Sequence, residues 1–216
     1  MPLSRFDLAL LETRKPDFLI GVDEAGRGPL AGPVTAAAAW VPSEARQPIS
    51  SIVNDSKKLS PARREKALRL MLASGVRFGF GYAGPAEIDE VNILEATFNA
   101  MSAAVRRLSV YTGAPAAGSL LLVDGPHRIK RMDGWTQQPV VDGDAKSLSI
   151  AAASIFAKVL RDRWMAVLDA RHPGYGLAGH KGYGTASHLE ALRRLGPSPE
   201  HRLSFAPVRA AAGAAR

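Results

Sequence analysis

The sequence predicts an α/β fold in which helices cover a mixed β-sheet. Two short apolar runs come first, at 18–22 and 34–41, and bounded runs of this length are typical of buried strands. Farther along the chain, segments with strand character alternate with segments of helical spacing. Strands followed by alternating strands and helices indicate a mixed sheet with helices packed on it.

In the first half of the chain, the clearest single element is a helix that begins after Ser60. A capping hydroxyl before Pro61 favours that start, because proline suits the first helical position. Alternating apolar residues after Gly75 then predict a strand. In order, we predict a lead-in of unassigned structure at 1–16, strands at 18–22 and 34–41, a loop at 42–51, a helix at 61–73, a strand at 76–82 and one long helix at 85–108.

The second half continues the alternation and ends in helices. We predict strands at 120–123 and 139–141, a long helix at 149–170, a glycine-rich irregular segment at 172–183, and a helix from Thr185 to Gly196. No internal repeat or linker divides the sequence. The predicted organisation is therefore a short lead-in at 1–17, a single domain at 18–208 and a flexible tail at 209–216.

Composition limits the classes of function. The 216 residues carry a net charge of +8, which favours a polyanionic partner such as nucleic acid, although a merely soluble basic protein is the simpler alternative. The absence of cysteine excludes thiolate metal sites and disulfides. No apolar stretch is long enough to span a bilayer and no secretion signal is evident, so we expect a cytoplasmic protein that does not contact a membrane.

Carboxylates follow three of the predicted strands: Asp23 with Glu24, Asp124, and either Asp142 or Asp144. Taken singly, the first pair fits a salt-bridged strand end and Asp124 fits an Asp-Gly turn. If the strands are neighbours, the carboxylates meet at one edge of the sheet. Oxygen donors without His or Cys suit Mg²⁺ or Mn²⁺, and such a cluster can hold two metals about 4 Å apart for phosphodiester hydrolysis.

The string at 18–34, FLIGVDEAGRGPLAGPV, closely resembles the opening motif of the type 2 ribonucleases H, and of bacterial ribonuclease HII in particular. Other matches follow in the family's order, at 55–57, 123–125, 152–159, 180–185 and 204–208. The resemblance extends from about 18 to 208. The related ribonuclease HIII type has an additional N-terminal domain, whereas only about 17 residues precede the motif here, which argues against that type.

The resemblance implies the catalytic and metal-binding residues. By motif these are Asp23, Glu24, Asp124 and Asp144, with Mn²⁺ or Mg²⁺ in a site expected to hold two metals. Counting back from the Ala-Ala-Ser sequence at 152–154 favours Asp144 as the fourth acid. The family usually has Lys-Gly-Asp at that place, whereas this chain has Asp-Gly-Asp, so Asp142 is left as a possible additional acidic neighbour.

The resemblance also implies the residues that bind substrate. The Gly26-Arg27-Gly28 turn would offer backbone amides to a ribose 2′-hydroxyl, the group that distinguishes RNA from DNA, and Tyr183 would pack on a sugar at the junction. Tyr183 could instead be a surface ring. The predicted phosphate contacts are Lys57, Asn92 and Lys146, with Lys58, Lys158, Arg161, Arg163 and Lys181 as further basic candidates. His127, His172, His188 and His201 are interpreted as structural or surface residues, and His180 is given no role.

The expected activity is that of a monomeric endoribonuclease with roles in DNA replication and repair. It would cut the RNA strand of RNA–DNA hybrids, and duplex DNA on the 5′ side of a single embedded ribonucleotide, leaving 5′-phosphate and 3′-hydroxyl ends. A non-catalytic nucleic-acid-binding protein on the same scaffold is one alternative, although it would be expected to have lost carboxylates. A nucleotide-binding α/β protein is another, but the Rossmann glycine pattern is absent.

Overall fold

The computed structural model describes residues 3–53 and 59–214. Its strands are β1 (Phe18–Ala25), β2 (Val34–Trp40), β3 (Arg77–Ala83), β4 (Ser119–Asp124) and β5 (Thr136–Val140). Its helices are α1 (Ser4–Arg14), α2 (Ser43–Val53), α3 (Pro61–Ala73), α4 (Pro85–Val91), α5 (Ile93–Thr112), α6 (Leu148–Arg171), α7 (Leu177–His180), α8 (Ala186–Leu195) and α9 (Ala206–Ala214), with a 3₁₀ turn at Gly143–Ala145.

The strands form one mixed sheet in the order β3-β2-β1-β4-β5. The first three strands along the chain are antiparallel neighbours, whereas β4 and β5 run parallel to β1. Strand β1 is central, and Val22 lies between Ala38 of β2 and Val123 of β4. The predicted mixed sheet is confirmed. Because β1 and β4 are parallel, their C-terminal ends lie at the same edge of the sheet.

Helices α6 and α5 cover opposite faces of the sheet, and small residues let them approach closely. A Cβ atom on Gly21 would overlap the backbone of Ser149 and Ile150 in α6. On the other face, a Cβ atom on Gly81 would overlap the carbonyl oxygen of Ala100 in α5. Both helices therefore rest on the sheet by backbone contact, which fixes their height and register.

The first residues of α6 are held by side chains from two directions. The Asp7 carboxylate, on α1, accepts hydrogen bonds from the Ser149 amide (2.9 Å) and hydroxyl (2.7 Å). The Ser147 hydroxyl oxygen accepts a bond from the Ile150 amide (3.2 Å). Burial raises the pKa of Asp7. The lead-in to which we assigned no structure is thus a helix that anchors the start of α6.

Two predictions about the first half of the chain are wrong. The loop predicted at 42–51 is helix α2, in which Ala45, Ile49 and Val53 are buried at a spacing of four residues. Pro48 lies inside that helix. The single helix predicted at 85–108 is two helices, because the chain breaks at Asn92, where φ is +71°.

The segment predicted as a tail is also different. Residues up to Ala214 continue helix α9, and Ala211 packs against a cluster that contains the buried Val208. An alanine-rich sequence forms this helix because one side of it has an apolar surface to cover. None of the helices that the structure describes combines the length and the apolar character needed to cross a bilayer.

Candidate active site

Four carboxylates from three parts of the sheet edge line one cavity of about 320 Å³. Asp23 and Glu24 extend from β1, which continues to Ala25, so the pair lies within the strand and not just beyond its end as we predicted. Asp124 is the last residue of β4, and Asp144 lies in the 3₁₀ turn that follows β5. The structure thus brings together the four acids that the sequence had singled out.

Asp23 and Glu24 lie in a crowded, poorly solvated environment. Asp23 is 5% exposed, its carboxylate accepts a hydrogen bond from the Glu24 amide (2.7 Å), and the neighbouring Ser154 hydroxyl favours its charged form. Burial, and then the negative charges of Glu24 and Asp124, raise the pKa of Asp23 well above its ordinary value. Burial raises the pKa of Glu24, while Arg27, 3.5 Å from its Oε1 atom, acts in the opposite direction.

The third and fourth acids are linked through a glycine. The Gly143 amide donates a hydrogen bond of 2.7 Å to Oδ1 of Asp124, which joins the end of β4 to the turn that carries Asp144. Asp144 is 4% exposed and lines the cavity. Asp142 is exposed, lies outside the cavity lining and has a left-handed backbone, with φ of +53°. Of the two aspartates that the sequence left open, the cavity contains Asp144.

The donor set fits a divalent cation in its chemistry and charge. The cavity offers carboxylate oxygens, which Mg²⁺ and Mn²⁺ prefer, and the repulsion that raises the pKa of Asp23 is the kind a cation relieves. Within residues 3–53 and 59–214, however, no group of three or more acidic or imidazole side chains is already arranged so as to hold an ion. The acids share a cavity without being gathered around one point.

The two predicted sugar-binding elements lie beside these acids. Gly26 and Tyr183 both line the cavity, and Tyr183 is 46% exposed. Gly28 lies next to the tyrosine, since a Cβ atom placed on it would be 3.7 Å from Cε1 of Tyr183. Arg27 is half exposed, with its guanidinium directed to Glu24. A turn and an aromatic ring thus form one continuous wall with the carboxylates.

Comparison with known proteins agrees with this arrangement. A family model described as ribonuclease HII matches residues 20–208. A relative named ribonuclease HII, from Syntrophobacter fumaroxidans, is 53% identical over 193 residues, which cover 89% of this chain and 78% of that protein. The chain belongs to the ribonuclease HII family.

Solved structures show the same fold. The ribonuclease H2 of Pyrococcus horikoshii OT3 has a TM-score of 0.68 at 27% identity, covering 91% of this chain and 97% of that one. Bst-RNase HIII, solved in complex with Mn²⁺, has a TM-score of 0.75 at 21% identity, covering 92% of this chain and 70% of that one. The second similarity concerns the fold alone. The ribonuclease H-like fold that we predicted is confirmed.

Several of the predicted phosphate contacts lie outside the cavity lining of this ribonuclease HII family member. Lys146 is exposed and donates to the carbonyl of Val141 (2.6 Å). Asn92 caps helix α5, its side-chain oxygen accepting bonds from the amides of Leu94 (2.9 Å) and Glu95 (3.1 Å). Lys57 and Lys58 lie outside the described residues.

The remaining basic candidates divide into three kinds. Lys158 lines the cavity and pairs with Asp162 at 2.7 Å. Arg163 forms a two-point ion pair with Glu65, and Lys181 donates to the carbonyl of Ala178. The prediction of a phosphate contact at Arg161 is wrong, because that side chain is fully buried. Helix α6 presents Arg161 to the interior of the protein, where a phosphate cannot reach it.

Sequence reasoning missed two polar residues of the cavity and two buried arginine roles. Arg64 and Ser154 line the cavity. Ser154 belongs to the Ala-Ala-Ser sequence but was given no role, and Arg64 has no pattern that distinguishes it from an ordinary helix residue. The buried guanidinium of Arg161 donates to the carbonyls of Ala31, Pro33 and Lys181, at 3.0–3.2 Å. Burial lowers the pKa of Arg161 to about 10 and that of Arg202 to about 9, so both remain cationic at neutral pH.

Two buried histidines form a direct pair behind Tyr183. The Nε2 atoms of His188 and His201 are 3.0 Å apart, and the two side chains are 0% and 2% exposed. The His180 ring stacks on His188 at 4.3 Å, and His172 lies near His201, 3.9 Å from the carboxylate of Glu200. Our interpretation of these two histidines as structural agrees with their burial.

Acid is expected to destabilise the fold through this pair. Burial, helped by the neighbouring His188, lowers the pKa of His201 to about 4, and burial lowers that of His188. An unfolded histidine titrates near about 6.5, so the unfolded chain binds more protons between these values and stability falls as pH falls through that window. From about pH 7 to pH 5, the wild type should lose about 2 kcal/mol more unfolding free energy than His201→Gln.

Urea unfolding of both proteins at the two pH values measures this difference, since effects of the other titrating groups are shared. An equal pH dependence in the two proteins would contradict an acid-sensitive histidine pair.

Proposed function

We propose that this ribonuclease HII family member is a metal-dependent endoribonuclease of RNA–DNA hybrids and of ribonucleotides embedded in duplex DNA. The observation that carries the proposal is the shared cavity of four carboxylates, walled by the Gly26 turn and Tyr183, in a chain that matches the ribonuclease HII model over residues 20–208. Membership of that family makes the chain an endoribonuclease. The finer substrate preference, and a role for each residue, are what we propose.

In this proposal, Asp23, Glu24, Asp124 and Asp144 hold two Mn²⁺ or Mg²⁺ ions. Divalent metals in such a site activate the attacking water and stabilise the leaving oxygen of the phosphodiester. The Mn²⁺ bound by Bst-RNase HIII supports this choice. The chain's own contribution is a set of anchored acids: the Glu24 amide bonds to Asp23, and the Gly143 amide bonds to Asp124. Anchoring limits the rearrangement needed when charge develops in the transition state.

Substrate recognition would come from the wall of the cavity. Backbone amides in the turn at 26–28 would bind one 2′-hydroxyl, which DNA lacks. The half-exposed ring of Tyr183 would pack on the next sugar, where a second 2′-hydroxyl fits badly. Such a site senses the step from ribose to deoxyribose and no base, so we propose cleavage that is indifferent to sequence. The net charge of +8 supports a duplex substrate. We further propose that the protein acts as a monomer in the cytoplasm, in DNA replication or repair.

Cleavage of a labelled DNA duplex that contains one ribonucleotide tests the proposal. With Mg²⁺ or Mn²⁺ we expect one cut, on the 5′ side of the ribonucleotide, leaving it at the 5′ end of the downstream fragment, and with chelator no cut. Fragments are sized against chemically synthesised markers. An all-DNA duplex of the same sequence is the control.

A cut on the 3′ side, or equal cutting of the all-DNA duplex, would contradict the reading of the 2′-hydroxyl. Tight binding of the hybrid without cutting in any metal would instead favour the non-catalytic alternative.

A further inference from the structure

The two walls of the cavity, the turn at 26–28 and the segment around Tyr183, are both bound to one short C-terminal stretch. His201 and Arg202 are consecutive residues and are 2% and 0% exposed. One of them bonds to the turn, and the other reaches the Tyr183 segment through His188. This pair lies outside the cavity lining, so it acts on the cavity only through the elements that it holds.

Arg202 fixes the orientation of the turn. Its guanidinium donates to the carbonyl oxygens of Gly26 (2.6 Å), Arg27 (2.8 Å) and Gly32 (2.9 and 3.0 Å). In a trans peptide the N–H points opposite to the C=O. Holding the Gly26 and Arg27 carbonyls toward the buried guanidinium therefore directs the amides of the following residues, Arg27 and Gly28, away from the interior.

The histidines fix the Tyr183 segment through a chain of bonds with defined protons. His188 Nδ1 lies 2.9 Å from the carbonyl oxygen of Tyr183, and since a carbonyl only accepts, that nitrogen carries a proton. The Ser198 amide donates to His201 Nδ1 at 3.0 Å, so that nitrogen is bare. In the neutral pair, the proton between the two Nε2 atoms, 3.0 Å apart, therefore belongs to His201.

Backbone bonds close the arrangement. The Arg202 amide donates to the carbonyl of Leu30 (2.9 Å), and the Leu30 amide donates to the carbonyl of Gly182 (2.7 Å), next to Tyr183. The turn, the Tyr183 segment and the His201-Arg202 pair thus form one hydrogen-bonded ring. Because the two anchoring residues are adjacent, with Cα atoms about 3.8 Å apart, a displacement of one wall is transmitted to the other through a short stretch of main chain.

We infer that His201 and Arg202 are positioning residues that set the spacing between the amides at 26–28 and the Tyr183 ring, and thereby the preference for a ribose–deoxyribose junction. The inference rests on the proposed function. It assigns specificity to residues that do not touch the substrate: the turn reads one sugar, Tyr183 reads the next, and the buried pair holds the two at the distance of adjacent nucleotides.

His201→Phe tests the inference, because it keeps a buried ring but neither donates to His188 nor accepts from Ser198. The measurement is the ratio of kcat/KM for a duplex with one ribonucleotide to kcat/KM for a uniform RNA–DNA hybrid. We expect the ratio to fall about tenfold, as loss of the buried hydrogen bond that joins His201 to the Tyr183 segment through His188 implies, with the hybrid rate within about threefold of wild type. His172→Phe, the same change at a half-buried histidine bonded to neither wall, is the matched control and should leave the ratio unchanged.

Two further variants separate positioning from stability. His201→Gln should restore most of the ratio, because its amide can donate to His188 Nε2. His188→Asn keeps a donor for the Tyr183 carbonyl but severs the link to His201, so it should lower the ratio even if His201→Phe does not fold. Tyr183→Ala should itself lower the ratio, because it removes the ring that packs on the second sugar, and in that background His201→Phe should reduce the ratio no further.

Three outcomes would overturn the inference. They are an unchanged ratio in folded His201→Phe and His188→Asn, equal losses on both substrates, or a full additional loss in the Tyr183→Ala background. A wild-type protein that cuts neither substrate would refute the proposed function itself. If the wild type cuts with a junction preference, the proposed function stands, and the variants then test only the role of His201 and Arg202.

Discussion

Replacing Asp124 by Asn should reduce cleavage of the single-ribonucleotide duplex by more than about a hundredfold. Mutating residues that merely orient a metal ligand already costs up to about a hundredfold, and Asp124 is proposed to be a ligand itself. The substitution keeps the shape of the side chain and its acceptor for the Gly143 amide but removes the charge needed to hold a cation. Hybrid binding should be largely retained, because the basic surface is unchanged. The measurement is single-turnover cleavage with Mg²⁺ or Mn²⁺, alongside a filter-binding titration of the uncut hybrid.

The 3₁₀ turn provides a matched pair for this experiment. Asp144→Asn changes a buried acid of the cavity, whereas Asp142→Asn makes the same change two residues away at an exposed position. We expect the first to be nearly as damaging as Asp124→Asn and the second to be close to wild type. Near-normal turnover of Asp124→Asn would refute the metal site, and the reverse ranking at 142 and 144 would show that the fourth acid is Asp142.

Gly26→Ala is expected to lower cleavage at a single ribonucleotide by about a hundredfold, the loss that a displacement of about 1 Å in a site can cause. Gly26 has φ of +94°, and a Cβ atom there would overlap the guanidinium group of Arg161. The turn can relieve the overlap only by moving, and its amides move with it. Cleavage kinetics and thermal unfolding of the same preparation measure the two consequences separately.

Gly113→Ala is the control for backbone strain alone. Gly113 ends helix α5 with φ of +72° and has open space around its Cβ position. Both alanine variants should lose about 1 kcal/mol or more of stability from the left-handed backbone, but only Gly26→Ala should lose activity. Equal activities in the two variants would mean that the position of the turn is unimportant for cleavage.

Local sequence patterns predicted the sheet well, because the spacing of strand residues and the acids at strand ends depend on residues that are close together in the sequence. The four cavity acids came from strand ends and motif spacing, and the structure places them together. Helix α2 was predicted as a loop, but the burial of Ile49 and Val53 outweighs the missing amide of Pro48 inside the helix. There, long-range packing decided what the local signal could not.

The burial and hydrogen-bond partners of the interior polar side chains could not be predicted from local sequence patterns. Arg161 lies in a run of charged residues, which is typical of a solvated helix face. Only the tertiary fold shows that its guanidinium donates hydrogen bonds to carbonyls of the distant segment 31–33. His188 and His201 are thirteen positions apart, and nothing in that separation indicates that their rings meet. Hydrogen bonds between distant segments leave no periodic signal in a single sequence.

The backbone contact between Gly21 and α6 limits how this site could be rebuilt elsewhere. The glycine lets the strand that carries Asp23 touch the helix that carries Ser154, so the acid and the neighbouring hydroxyl are aligned by main chain and not by side-chain packing. A designer who grafted the four acids onto another sheet would obtain the charges but not their alignment. The smallest transferable unit is therefore the strand, its glycine and the whole of α6 together.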